Sequence, residues 1–362
     1  MDYFVSGLFV AAMPGCVFCG KKDEANMKQY NCCVVGIGAV GTEMVRLLRA
    51  RHFPVKDLII LARSERTEVI DGVSYPVRVA RPEAFAGLDF AFFAGTEGAK
   101  GASQTLGWEA VQRGCVVIDN GDDFRMDPRV PLVIPEINPE ALRSHQGFIA
   151  NPNCSTIIAL MALAPLHRAA RIRRLVVSTY QAVSGTGSAA IKELETQVRA
   201  WAAGQPLTAE VYPHPIAFNV IPAVGSFKDA SGESTEEIKL RRETHKILDP
   251  AIRVAATTVR VPVFNGHSMA LNIELEQPLS VAQARALLAR APGVQVVDDP
   301  QQAAYPLPIN ASGNYDVLVG RLRQDLSVPN GLALWCAGDN IWKGAAQNAI
   351  QIAEELLRQG LK

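Results

Sequence analysis

The sequence predicts an α/β chain, with a doubly wound parallel sheet in its first part and a second, mixed domain after it. Three observations carry that expectation. Short apolar runs alternate with helix-compatible stretches from Asn31 onward, and the first run ends in a glycine-rich turn that opens a helix. The 362 residues, 48% of them apolar, suffice for two domains of roughly 100–200 residues each. Lys and Arg number 36, as do Asp and Glu. That balance argues against nucleic acid or an anionic membrane surface as partner, since either is usually met by an excess of basic residues. The nearest approach to a spanning segment, Tyr3 to Gly20, is interrupted by Ser6, Pro14 and Gly15. Seven Cys are too few for a disulfide scaffold and odd in number, so reduced, cytoplasmic thiols are expected.

The elements follow in order. Residues 1–30 have an apolar middle without a basic lead, and Cys16 and Cys19 have no second pair of ligands nearby to complete a metal site. They read as a poorly ordered extension or the product of an upstream start codon, outside the fold, and no metal is expected. Cys32-Cys33-Val34-Val35 reads as a strand. It ends in Gly36-Ile37-Gly38-Ala39-Val40-Gly41, and Glu43 to Leu48 continues at helical spacing. A G-x-G-x-x-G turn between strand and helix lets backbone approach a pyrophosphate, whose charge the helix N-terminus favours. A mere packing turn is the alternative. The context favours a Rossmann-type, dinucleotide-binding domain.

The next strand, Leu58 to Ala62, ends where such a fold reads the ribose. Here the chain has Arg63, Ser64, Glu65, Arg66 and Thr67 instead of a lone acid. Two guanidiniums and two hydroxyls suit a 2′-phosphate, so NADP is preferred and NAD is the alternative. Glu65 keeps a merely solvated basic loop open. Strands at Phe90–Ala94 and Cys115–Asp119 flank a helix around Ser103 to Gln112, and their C-terminal ends carry Gly95-Thr96 and Asn120 on the expected ligand side.

Asn153-Cys154-Ser155 begins a helical run to Leu166. A thiol at a helix N-terminus has its thiolate stabilised by the dipole and unpaired N–H groups, which suits a nucleophile. A lone Cys is more often inert core, but this one stands among Asn151, Asn153 and Ser155. His267 lies far downstream, which is no obstacle to pairing in space.

From residue 119 the motifs resemble the bacterial type of aspartate-β-semialdehyde dehydrogenase. They are Asp119-Asn120 with Phe124-Arg125 and Pro128, Pro135-Glu136, Asn151-Pro-Asn-Cys154-Ser-Thr156, Thr179-Tyr-Gln181, Ser184-Gly185 with Gly187, Glu236-Glu237-Ile-Lys239, Arg260 with Pro262, Gly266-His267-Ser268 and Gly338-Asp-Asn340. In the family's order they span roughly residues 31–360.

The resemblance implies that Cys154 adds to the carbonyl carbon, His267 serves as acid/base on the adduct oxygen and Gln181 positions the intermediate. It also implies that Arg125 and Lys239 bind phosphate, Arg260 the α-carboxylate and Glu237 the amino group. Glu237 and Lys239, two apart, would point about 200° apart on a regular helix. Ser184, Gly185 and Asn340 would face the cofactor. Further implications are an enzyme of amino-acid biosynthesis and a homodimer.

The family also includes paralogues that keep the fold and lose catalytic residues, and the Phe264-to-Ala270 strand resembles theirs. Such a binding or structural protein is the alternative. The presence of Cys154, Gln181, Arg125, Glu237, Lys239, Arg260 and His267 together favours the enzyme. Gly121-Asp122-Asp123, Ile158 and Met269 depart from the usual pattern. The expected architecture is an NADP-binding domain over 31–152 plus 337–362 and an α+β catalytic and dimerisation domain over 153–336. The C-terminal helix, from Ile341 to Leu357, would return to the first domain.

Overall fold

The computed structural model describes residues 28–95, 101–228 and 230–362. The expected N-terminal extension, apart from its last three residues, lies outside the described residues, as does Thr96.

The first sheet has seven strands: β1 (Tyr30–Val35), β2 (Val55–Ala62), β3 (Arg66–Ile70), β4 (Val73–Val79), β5 (Phe90–Phe93), β6 (Val116–Asp119) and β7 (Phe148–Ala150), in the order β3-β4-β2-β1-β5-β6-β7. All neighbours pair in parallel except β3 and β4. The central strands are apolar nearly throughout because helices cover both faces. Helix α1 (Ala39–Ala50) covers one face with Met44, Val45, Leu47 and Leu48, and α2 (Ala102–Gln112) runs between β5 and β6. Strand order reverses at β1, so the crevice beside the C-terminal ends of β1 and β5 is the switch point where ligands bind in such sheets.

The sequence reading had no strands at β3 and β4. Arg66 and Thr67, expected in a loop, open an edge hairpin that turns at Asp71-Gly72, both at positive φ. Its strands are polar and half exposed, which hides the apolar alternation that marks a strand.

Helix α3 (Cys154–Ala170) leads into the second sheet. Its strands are β8 (Ile172–Gln181), β9 (Arg253–Arg260), β10 (His267–Leu275), β11 (Val294–Val296), β12 (Val317–Asp325) and β13 (Gly331–Gly338), ordered β11-β12-β13-β10-β8-β9. Helices α4 (Ser188–Ala202), α5 (Thr235–Ile247), α6 (Val281–Leu288) and the short α7 (Pro308–Ala311) fill the connections. Helix α3 is apolar almost all round, and its residues share one core with residues of both sheets.

Strand β9 stops at Arg260. Pro262 cannot donate to a ladder, and the chain turns through Gly266 at φ 92°. The C-terminal helix begins as a π-helical turn, Trp342–Ala346, and continues as α8 (Gln347–Arg358). Residues Ile350, Ala353 and Leu356 of α8 join the core beneath β1 and α1, and a buried Arg51–Glu354 ion pair of 2.6 Å ties the helix to α1's end. The chain thus combines a Rossmann-type domain with an α+β domain, and its C-terminal helix returns to the first.

Candidate active site

Three neighbouring strands bring three of the expected residues to one sheet edge. Gln181, the last residue of β8, pairs with Arg260, the last of β9. Antiparallel β10 starts there, so His267 comes one step beyond the Ser268–Tyr180 pair, beside Gln181. All three are buried.

Cys154 approaches from α3. Asn153 caps that helix, its Oδ1 accepting from the N–H groups of Ser155 (2.9 Å) and Thr156 (3.3 Å). The Cys154 thiol is reduced and partly exposed. Gly344 of the π-helical turn lies against it, and a Cβ at that glycine would stand 2.9 Å from the Cys154 Cβ. The nucleophile candidate is therefore held between its own cap and a glycine contributed by the C-terminal segment.

Helix α5 organises a cluster of charged side chains beside them. Glu236, Lys239, Glu243 and Lys246 recur at helical spacing and share one face. Glu236 is buried, and its Oε1 accepts from Asn153 Nδ2 (2.9 Å) and Gln181 Nε2 (3.3 Å), joining the α3 cap to the β8 end. Lys239 Nζ stands 3.7 Å from Glu236 and 3.1 Å from Asp122. Burial disfavours the ammonium, but the two carboxylates outweigh it and hold the group above its ordinary range. Asp122 thereby acquires a partner that its unusual place in the motif did not suggest.

Glu237 is not brought to this cluster. It forms a capping box with Ser234, accepting the Ser234 N–H at 2.7 Å, and it accepts the Thr258 N–H at 2.9 Å. Glu237 and Lys239 point apart, as residues two apart on a helix should, whereas Glu236 and Lys239, three apart, face the same way.

Arg125 is buried, and each of its three nitrogens donates a hydrogen bond. It donates to the carbonyls of Asn151 (3.0 Å) and Asn120 (2.7 Å), and its Nη1 donates to Glu243 (3.0 Å). The second oxygen of Glu243 accepts the Asn153 N–H at 2.7 Å. Lys246 donates to the carbonyls of Arg125, Asp127 and Val130. Sequence reasoning missed Glu243 and Lys246. The only signal was their spacing behind Glu236 and Lys239.

The surroundings of His267 are unusual. Its Nδ1 accepts the Ala182 N–H at 3.0 Å, and the Ala182 carbonyl accepts from Arg260 Nη1 at 2.7 Å. Burial, reinforced by the Arg260 charge, pushes the imidazole well below its ordinary range. Gly185 lies against both groups. A Cβ there would stand 2.9 Å from Arg260 Nη1 and 3.2 Å from His267 Nε2. Ser184 and Asn340 do not stand open to a ligand. The Asn340 amide donates to Ser184 Oγ at 2.9 Å, and Asn340 Oδ1 accepts the Gly266 N–H at 2.9 Å, so the pair anchors the turn before His267.

The dinucleotide turn passes a direct test of fit. Gly36 has φ 93°, which disfavours a side chain. A Cβ at Gly41 would fall 2.0 Å from the Gly36 carbonyl oxygen, so close helix–strand packing demands glycine there. A Cβ at Gly38 would meet nothing within 4 Å. Its exposed backbone, with Ala39 and Val40 opening α1, is left open to approach by a diphosphate. Gly95, at φ 78°, packs against Asn120 across the crevice. Arg63, Ser64, Arg66 and Thr67 are all exposed, and Arg66 Nε bonds its neighbour Glu68 at 3.1 Å.

Comparison with known proteins agrees with this geometry. Residues 31–145 match the family described as semialdehyde dehydrogenase, NAD binding domain, and residues 163–343 match semialdehyde dehydrogenase, dimerisation domain. The aspartate-semialdehyde dehydrogenase of Aquifex aeolicus is 46% identical over 344 residues, covering 92% of this chain and 99% of that protein. Its Bacillus subtilis namesake is 45% identical over 341 residues, covering 91% and 97%. The crystal structure of aspartate semialdehyde dehydrogenase II from Vibrio cholerae, complexed with ASA, has a TM-score of 0.86 at 41% identity and covers 92% of this chain and 99% of that one. Matched along both domains and over most of its length, the chain belongs to the semialdehyde dehydrogenase family, among its aspartate-semialdehyde dehydrogenases.

Proposed function

We propose that the chain catalyses the reversible, NADP-dependent reductive dephosphorylation of L-aspartyl 4-phosphate to L-aspartate 4-semialdehyde, through a thioester on Cys154. The observation that carries this is the link from the cap of α3, through Glu236, to Gln181, which holds thiol, amide and anion-binding groups in one cluster. Similarity to relatives named for this aldehyde supports the substrate.

The Cys154 thiolate, favoured at the α3 N-terminus, attacks the acyl carbon and the bond to the phosphate oxygen breaks. Gln181 orients the adduct as a neutral donor that does not compete for protons. Lys239 meets the phosphate, beside the fixed charge of Arg125. Arg260 clamps the α-carboxylate, and Glu236, in place of Glu237, pairs with the substrate ammonium. His267 faces the reacting oxygen. A nicotinamide cofactor, held by the turn at Gly36, Gly38 and Gly41 with Gly95 opposite, supplies or accepts the hydride when bound. Arg63, Ser64, Arg66 and Thr67 favour NADP over NAD by meeting its 2′-phosphate.

We assign residues 31–152 and 337–362 to the cofactor domain and 153–336 to catalysis and dimerisation. A homodimer through the second sheet fits the description of the matched domain, and on that sheet Tyr180 packs against Trp335 with ring centroids 5.2 Å apart and the planes tilted by 37°.

The purified protein should reduce NADP when given aspartate semialdehyde and phosphate. Cys154→Ser should lower that rate by at least about a thousandfold, the order expected when a covalent nucleophile is removed. Near wild-type activity in the variant refutes the thioester, and inactivity of the wild type favours the non-catalytic paralogue.

A further inference from the structure

We propose that Asp122 is an internal competitor of phosphate: its carboxylate holds the Lys239 ammonium in the resting enzyme and has to leave it before phosphate can bind there. Resting on the function proposed above, in which Lys239 meets the phosphate, this competition is set by one contact. Asp122 Oδ2 stands 3.1 Å from Lys239 Nζ, closer than Glu236 at 3.7 Å. Asp122 follows β6 and precedes Arg125 by three residues, so one short segment carries a cation for phosphate and an acid that opposes the same ligand.

The charges around Lys239 leave no surplus for a second anion. Arg125 is matched by Glu243 at 3.0 Å, and its Nε and Nη2 donate to backbone carbonyls. Lys246, farther along α5, donates to the carbonyls of Arg125, Asp127 and Val130. Lys239 faces two carboxylates with one charge. Arg260 and the Cys154 thiolate proposed above add one charge of each sign to the site.

The two acids on Lys239 are not equivalent. Glu236 is buried and bonded to Asn153 and Gln181, which fixes it, and the substrate ammonium proposed above takes up its charge. The Asp122 side chain is 56% exposed, and Lys239 is its one ion-pair partner among the described residues, so it can swing out to water. A phosphate oxygen that replaces it on Nζ gains a charge-assisted hydrogen bond. One that arrives beside it meets a like charge at close range. Because the carboxylate is half exposed, that repulsion is screened to a modest factor. Asp123, next in the chain, is engaged elsewhere. Its Oδ2 accepts from Ser103 Oγ at 3.4 Å and borders Gly101. In the direction of aldehyde formation, Asp122 returns to Lys239 as phosphate leaves and so favours release.

The full-length protein and Asp122→Asn, which keeps the size and removes the charge, are compared in two titrations with inorganic phosphate. In the aldehyde assay, Asp122→Asn should lower KM for phosphate by about three- to tenfold, the scale of one partly exposed charge pair, and keep KM for aspartate semialdehyde within about twofold. The gap should narrow as potassium chloride is added. Thermal melts without substrate or cofactor read the same site, because a ligand of the native state raises Tm. Half of the phosphate-dependent rise should need at least about threefold less phosphate in Asp122→Asn than in the wild type. Asp122→Glu restores the charge and should return both readings towards the wild type, and Asp123→Asn should leave both at wild-type values. An unchanged phosphate requirement in Asp122→Asn overturns the proposal. So does a higher one, which makes Asp122 the group that aims Lys239. An equal gain from Asp123→Asn also overturns it, by reducing the effect to net charge. If the wild type does not turn over aspartate semialdehyde, the proposed function fails, while the melts still decide whether Asp122 and phosphate compete. Melts that phosphate moves in neither protein leave nothing to compete for and overturn the competition as well.

Discussion

The edge that carries Arg260, Gln181 and His267 and the stretch that carries Arg63 to Thr67 both display side chains where strands begin or end, yet they are built in opposite ways. At the first, each polar group is buried and has a named protein partner, so its position is fixed before any substrate arrives. At the second, the side chains are exposed, and the bonds of Arg66 run to residues two positions away. Orientation at the edge is an equilibrium property of the fold, whereas at the loop it awaits a ligand. Substitutions should therefore act through geometry at the edge and through screened charge at the loop.

The largest separation is expected between two adjacent acids. Glu236→Ala removes the carboxylate shared by Asn153, Gln181 and Lys239 and should lower kcat/KM for aspartate semialdehyde by about a hundredfold, the scale of a buried charged hydrogen bond. Glu237→Ala removes a capping box and should cost about 1 kcal/mol of stability, leaving kcat/KM within about threefold. Thermal melts and steady-state kinetics on both variants distinguish the roles. A Glu237→Ala enzyme that is stable but catalytically crippled would restore the original assignment.

That pair also marks how far the sequence could be read. Strand, glycine turn and helix at 31–48 were legible because each glycine answers a local demand, a positive φ at Gly36 and a 2.0 Å conflict at Gly41. Cys154 and His267 were legible because their surrounding motifs are distinctive. The choice between Glu236 and Glu237 turns on helix phase, and phase depends on where the cap falls. Ser234 with Glu237 three residues later is a capping-box pattern, so the signal was present but unused. Glu243 and Lys246 act on backbone groups of Asn153 and of residues 125–130, contacts that exist only once α5 packs beside α3. The β3–β4 hairpin escaped because an edge strand with one wet face has little hydrophobic period to detect.

Asp119 lies between the two regions, at the end of β6. Burial pushes its carboxyl up to about 6, although a 2.8 Å bond from the Gly121 N–H favours the charged form. The folded chain therefore holds this proton more tightly than the unfolded chain, whose ordinary value is 3.8. The sign follows: the contribution to stability is complete below about pH 4 and is lost as pH rises through 6. Asp119→Asn has nothing to titrate there. Relative to the wild type it should gain on the order of 2 kcal/mol between about pH 4 and pH 7, measured by denaturant unfolding across that range. A stability difference that stays flat with pH means the carboxyl is already charged in the fold.

The smallest effect is expected at the loop itself. An exposed guanidinium meeting a 2′-phosphate works through a screened charge, so removing both Arg63 and Arg66 should lower kcat/KM with NADP by about tenfold and leave the NAD value unchanged. The loss should shrink as ionic strength rises. The two arginines are not equivalent: Arg63 directly follows β2 at the crevice, whereas Arg66 has already entered the hairpin and leans on Glu68. Arg63→Ala alone should then account for most of the change. Equal losses from the two single variants would mean that the hairpin edge also reaches the cofactor. If NADP and NAD are used equally both before and after the double substitution, neither guanidinium reads the phosphate, and the loop is only a solvated edge.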